Sequence, residues 1–122
     1  MQQGSSTTLF LLVGEAAAEM AWHPLADLYR TADGWVIKLE LAGVCAEDIT
    51  VATAGSRVHI SGCRRDRIVV AGWNHYSMEI AYGHFARTIE LPDELDRAAI
   101  RLECREGMVI VRLKLSDRPE QP

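Results

Sequence analysis

The residues able to do chemistry in this chain are spaced badly for it. His23, His59, His75 and His84 show neither the i, i+2 nor the i, i+4 pairing that sets two zinc ligands on one face, and no Cys-x-x-Cys accompanies them. Cys45, Cys63 and Cys104 are an odd number without a short-range pairing motif, which fits a reducing compartment better than a disulfide framework. Cys104 alternates with Ile100 and Leu102 and is expected in the core as a small hydrophobe. Cys63, in a charged loop, is the thiol expected to sense oxidants. No serine sits in a Gly-x-Ser-x-Gly elbow, and "TAGS" (Thr53 to Ser56) reads as a hairpin turn instead of a phosphate cradle. The sequence therefore predicts no catalytic site, no metal and no cofactor, so the chain is not expected to be an enzyme.

The elements that position these residues have a period of two. A chain of 122 residues, 48% apolar and 25% charged, suits one soluble globular domain. Its net charge of −4 gives no reason to expect nucleic acid, and its one tight basic cluster, "CRRDR" (Cys63 to Arg67), is interrupted by Asp66. Residues 1–23 read as a flexible arm carrying an apolar run, Leu9, Phe10, Leu11, Leu12 and Val13. That run is too short for a membrane span and has no basic residue before it, so a cytoplasmic protein is expected. From Pro24 the chain alternates: "DLYRTADGWVIKLEL" is a hairpin turned at Ala32-Asp33-Gly34, and "DITVATAGSRVHISG" is a second. A charged excursion follows, with the apolar residues Ile68, Val69, Val70 and Ala71 inside it. Strand pattern resumes at "YSMEI" (Tyr76 to Ile80), at "GHFARTIEL", at "AIRLEC" and at "MVIVRLKL". Seven or eight short strands, each with one wet face, predict a two-layer antiparallel β-sandwich. Two features stand out: Arg87 shares a strand face with Phe85 and Ile89, and Met108-Val109-Ile110-Val111 is apolar on both sides. Met108 and Ile110 are therefore expected outward at a sheet margin, as part of a groove.

Taken together, "WHPLADLYRTADGWVIKLELAGVCAEDITV", "RVHISGCRR", "HYSMEIAYGHFARTIELPDELD" and "IRLECREGMVIVRLKL" resemble, in order and spacing, the small heat-shock protein family. The resemblance covers Trp22 to about Leu115 and centres on the α-crystallin domain. It implies an all-β, immunoglobulin-like sandwich (residues 24–115) with a loop strand exchanged in a homodimer. It also implies ATP-independent holding of partly unfolded client proteins in stress. Ile68 to Ala71 would be the exchanged strand, Leu28 and Tyr29 would lie on the partner's receiving edge, and Arg87 would hold the family's arginine position near the dimer contact. Leu102 stands where the family has alanine, and Met108-Val109 where it has Val-Leu. The family's Ile-x-Ile tail motif is missing from "SDRPEQP" (residues 116–122), so a dimer or small oligomer is expected. The groove at Met108 and Ile110 would then take clients or Leu9 to Val13. The alternative is a co-chaperone or adaptor sandwich of the CS-domain kind, bound to one native partner.

Overall fold

Ala32 and Asp33 reverse the chain between strand β1 (Ala26–Thr31) and strand β2 (Gly34–Glu40). A Cβ on Gly34 would collide with the Leu113 carbonyl of the neighbouring strand, so glycine is what lets the two backbones close there. The computed structural model describes residues 21–115. After β2 come a 3-10 turn (Ala46–Asp48), β3 (Ile49–Ala54), β4 (Arg57–Arg64), β5 (Gly83–Glu90), β6 (Ala99–Arg105) and β7 (Met108–Lys114). They form a four-stranded sheet in the order β1-β2-β7-β6 and a three-stranded sheet in the order β3-β4-β5. Every neighbouring pair is antiparallel.

The alternation read from the sequence builds the core between the sheets. Ile37 and Leu39 of β2 join Val109, Val111 and Leu113 of β7, and they face Val58, Ile60, Phe85 and Ile89 of the other sheet. Leu41, Val44, Leu91 and Leu95 close the ends. Each such side chain contributes about 1.5–3 kcal/mol relative to exposure. The Phe85 ring lies over Gly62, its cross-strand partner, where an added Cβ would come within 2.7 Å of the ring edge. Trp35 donates its indole Nε1–H to Asp93 at 2.8 Å, and Arg30 lies 4.4 Å over the Trp35 ring. The β5–β6 connection is thereby held to the first hairpin.

The structure departs from the expectations in four places. Tyr76 to Ile80 is not a strand; Tyr76 is wholly exposed, and nothing among the described residues pairs with the segment. Cys104 is exposed, because alternation guarantees cover only where an opposing sheet extends and β6 is the outermost strand of its sheet. Strand β7 is flanked on both sides, so Met108 and Ile110 are not at a sheet margin. Finally, residues 21–23, assigned to the arm, run along β5. Trp22 bonds through its N–H to the His84 carbonyl and through its carbonyl to the Ala86 N–H, both at 3.1 Å.

Two surface turns set the acid response. The Ser56 hydroxyl, and then Arg57, hold Glu90 below the ordinary carboxylate range. Asp96 is lowered by the Glu94 carboxyl and by the Gly55 N–H, while the same contact with Asp96 raises Glu94. A lowered folded pKa gives stability that is present above the unfolded value and lost as pH falls through the folded one. The raised Glu94 acts oppositely: its contribution is present below the unfolded value and lost as pH rises through the folded one. Acidification below about pH 4 is therefore expected to lower the melting temperature as Glu90 and Asp96 protonate. The double variant Glu90→Gln, Asp96→Asn should flatten that slope in thermal melts at stepped pH; an unchanged slope would place the acid sensitivity elsewhere.

Candidate functional site: an open loop and an edge strand

Between β4 and β5 the chain leaves the sandwich from Arg65 to Tyr82 without forming a strand. Midway, the Trp73 N–H bonds to the Val70 carbonyl at 3.0 Å and closes a tight turn in which Gly72 takes a positive φ of 95°. Its apolar residues stay open: Ile68 is 76% exposed, and Val69, Val70, Trp73, Met78 and Ile80 are each at least half exposed. Apolar side chains exposed together on one loop are the kind of surface that protein interaction sites use. At the far edge of the four-stranded sheet, β1 pairs only with β2 among the described residues, which leave its outer backbone groups open. Leu28 and Tyr29 are exposed along it, with the Lys38 ammonium 5.1 Å over the Tyr29 ring. Among the described residues no hydrogen bond joins this strand to residues 68–71 within one chain.

Three arginines tie the loop and the edge strand's approach to the sandwich. Arg64, the last residue of β4, donates from Nε and Nη2 to the Ala81 carbonyl at 2.9 and 2.7 Å, so it holds the end of the loop that it begins. Its guanidinium also lies 4.5 Å over Trp22 and 5.6 Å over Tyr82. Trp22 meets Phe85 edge-on with ring centroids 5.7 Å apart and donates its indole N–H to the Gly83 carbonyl at 3.3 Å. Arg67 pairs with Asp48 at 3.1 Å, and Asp66 accepts the Ile68 N–H at 3.2 Å. A cleft of about 420 Å³ lies beneath this root, with Ala42, Gly43, Ile68, Ile80 and Tyr82 in its lining.

Arg87 lies on the core side of β5, opposite Ile60, and is half-buried. Its Nη1–H donates to the Pro24 carbonyl at 2.7 Å, which fixes the approach to β1. A guanidinium that satisfies a buried carbonyl is worth about 1.5–3 kcal/mol. Arg87→Ala is expected to destabilise by that amount in urea unfolding, and Arg87→Lys by an intermediate one, because a single ammonium lacks the planar fork. Unfolding midpoints equal to the parent's would show that the bond contributes nothing.

Of the residues expected to line a groove, Met108 is half-buried and Ile110 is 7% exposed. Ile110 lies apart from the inter-sheet core, on the outer face between Lys38 and Glu103 of the flanking strands, so little of it is open to a ligand. Leu9 to Val13 and the tail 116–122 lie outside the described residues. Arg64 and Trp22 are additions. The sequence reads Arg64 as part of a solvated basic cluster, although it stands two residues beyond Gly62 on the face shared with Val58 and Ile60, and that parity was the available signal. Among the described residues no three His, Cys, Asp or Glu side chains group as a metal requires, and no helix is long and apolar enough to cross a membrane.

An antiparallel sandwich that extends one long apolar loop and leaves an edge strand open has the form of an α-crystallin domain. Residues 27–122 match the Hsp20/alpha crystallin family, and the chain belongs to that family, the small heat-shock proteins. It is 31% identical over 100 residues to spore protein SP21 of Stigmatella aurantiaca, covering 82% of this chain and 58% of that protein. Heat shock protein 16.0 of Schizosaccharomyces pombe superposes with a TM-score of 0.64 at 28% identity, over 82% of this chain and 96% of that one. The hspA of Xanthomonas axonopodis does so with a TM-score of 0.63 at 25% identity, over 76% and 93%.

Proposed function

We propose that this protein is an ATP-independent holdase that binds partly unfolded proteins and keeps them from aggregating, as a homodimer or small oligomer in the cytoplasm. The observation that carries the reading is the open loop, whose apolar residues a single chain leaves in water. Ile68 to Ala71 pair with the β1 edge of a second chain, beside Leu28 and Tyr29, and Arg87 steadies that edge through Pro24. Membership of a chaperone family supports the role, and three free thiols suit a reducing compartment. Nothing in this action needs a nucleotide, a cofactor or a catalytic group.

The test is to heat an aggregation-prone client with rising amounts of the protein, without ATP, and follow light scattering. Suppression near one-to-one subunit ratios is the expected result. A folded dimer with no effect on scattering, but a saturable complex with one native protein, would establish the adaptor reading instead.

A further inference from the structure

The cleft beneath the loop's root lies one side chain away from the point where the chain's own first segment joins the sandwich. Residues 21–23 run along β5, and the Trp22 ring lies 4.5 Å from the Arg64 guanidinium. Arg64 in turn lines the cleft, and its Nη1–H donates at 3.4 Å to the carbonyl of Ala42, another lining residue. The space is open: Ile80 is 64% exposed, Tyr82 is 37% exposed, and a Cβ built on Gly43 would meet nothing within 4 Å. Its volume of about 420 Å³ falls within the range of about 300–1,000 Å³ usual for pockets that hold a ligand. The rim is basic. Arg65 and Arg67 line it with Asp66; Arg67 is paired with Asp48, and Arg65 has no ion pair among the described residues.

The sequence before Trp22 has the complementary chemistry. Leu9 to Val13 is an uncharged apolar run, and the charged residues between it and Trp22 are both acidic, Glu15 and Glu19. The tether also suffices. The eight steps from Val13 to Ala21 span roughly 26–29 Å when extended and about 12 Å as helix, and either bridges the length of one arginine side chain. We infer that Leu9 to Val13 docks in this cleft of its own chain as an intramolecular plug. Phe10 and Leu12, which share a side of an extended segment, enter against Ile68, Ile80 and Tyr82, and the Glu15 carboxylate meets Arg65 at the rim. The contact removes apolar surface of both arm and cleft from water, so the root of the loop stays covered until the arm is displaced. Ala42, Gly43, Ile80 and Tyr82 have no part in the proposed strand exchange. The plug therefore stands or falls independently of the holdase reading, and its test needs no client.

The experiment places a photoreactive benzophenone amino acid at position 10 of the full chain, mixes isotopically heavy and light protein, irradiates, and maps the linked peptides. The expected links run from position 10 to Ala42–Gly43 or to Ile80–Tyr82, and they join light to light and heavy to heavy. They should vanish in Ala42→Trp, where an indole fills the cleft from an exposed position. Links between heavy and light chains would give the cleft to a second copy, and links to other surfaces would leave it to a different partner; either overturns the inference. A second measurement leaves the sandwich untouched. Phe10→Asp with Leu12→Asp should raise the binding of anilinonaphthalene sulfonate, a dye for exposed apolar surface, because docked side chains take up none of it and the emptied cleft does. A fall in dye binding would show that the run was itself the open surface, and it too would overturn the inference.

Discussion

On the proposed strand exchange, placing a carboxylate at Ile68 and at Val70 is expected to turn the proposed dimer into monomer and to abolish most of the proposed client protection. In the free chain Ile68 is 76% and Val70 53% exposed, so Ile68→Asp with Val70→Asp should cost the single sandwich little, the melting temperature falling only by what association contributes. In the exchanged strand the same carboxylates would be buried against a partner's edge without counter-charges, which costs several kcal/mol. A loss of about 2.7 kcal/mol already weakens association about 100-fold. Sedimentation across a concentration series measures this directly. A double variant that still sediments as the parent would remove the loop from the contact, while an undisturbed dimer with lost protection would assign the loop to clients alone. The separation of fold from assembly is the informative part, since a residue three-quarters exposed in the single chain has little else to stabilise.

Phe85→Ala should act on the opposite side of that separation. Phe85 is 1% exposed, lies on the Gly62 backbone and takes the edge of Trp22. Deleting it leaves a cavity that neither the glycine nor the strand pairing can fill, at a cost of about 3–5 kcal/mol. For a domain of this size that is a fall of more than about 10 °C in melting temperature, a large share of a typical stability of about 5–15 kcal/mol. The natural control is Gly62→Ala, which overfills the same contact and should cost about 1–3 kcal/mol. Combined with Phe85→Leu, the alanine should cost less than it does alone, because the ring it strikes is gone; strict additivity of the two changes in urea unfolding would show that ring and glycine do not share the site.

How far the sequence carried this fold depended on whether both faces of a segment had a local reason. The β2 and β7 patterns were legible because Ile37, Leu39, Val109, Val111 and Leu113 each alternate with a polar or exposed neighbour somewhere along the strand, and the core they build is the one expected. The same rule failed for Cys104 and Ile100, where alternation is intact but the strand is outermost and the facing sheet does not cover it. It failed again for Tyr76 to Ile80, whose strand-like composition has no partner among the described residues. The loop itself was legible as an apolar run among charges. The two side chains that hold its root were not, because an arginine beside Arg65 and Arg67 in sequence looks like one more solvated charge. Only the register that sets Arg64 across from Gly83 shows that its guanidinium turns back over Trp22 and the Ala81 carbonyl. Arg87 was singled out for its parity, but its acceptor, the Pro24 carbonyl, belongs to a segment that sequence distance hides.

Because Arg64 and Gly83 are cross-strand partners and Arg64 also grips the Ala81 carbonyl, the excursion departs and returns at a single point. Its length is thus no part of the sandwich's own geometry. Doubling such a loop costs only about 0.6 kcal/mol of closure entropy, less than the loss of one ordinary hydrogen bond. The domain accordingly offers evolution a graft point: the segment that meets other chains can be lengthened, shortened or rewritten while the two sheets beneath it keep their sequence and their stability.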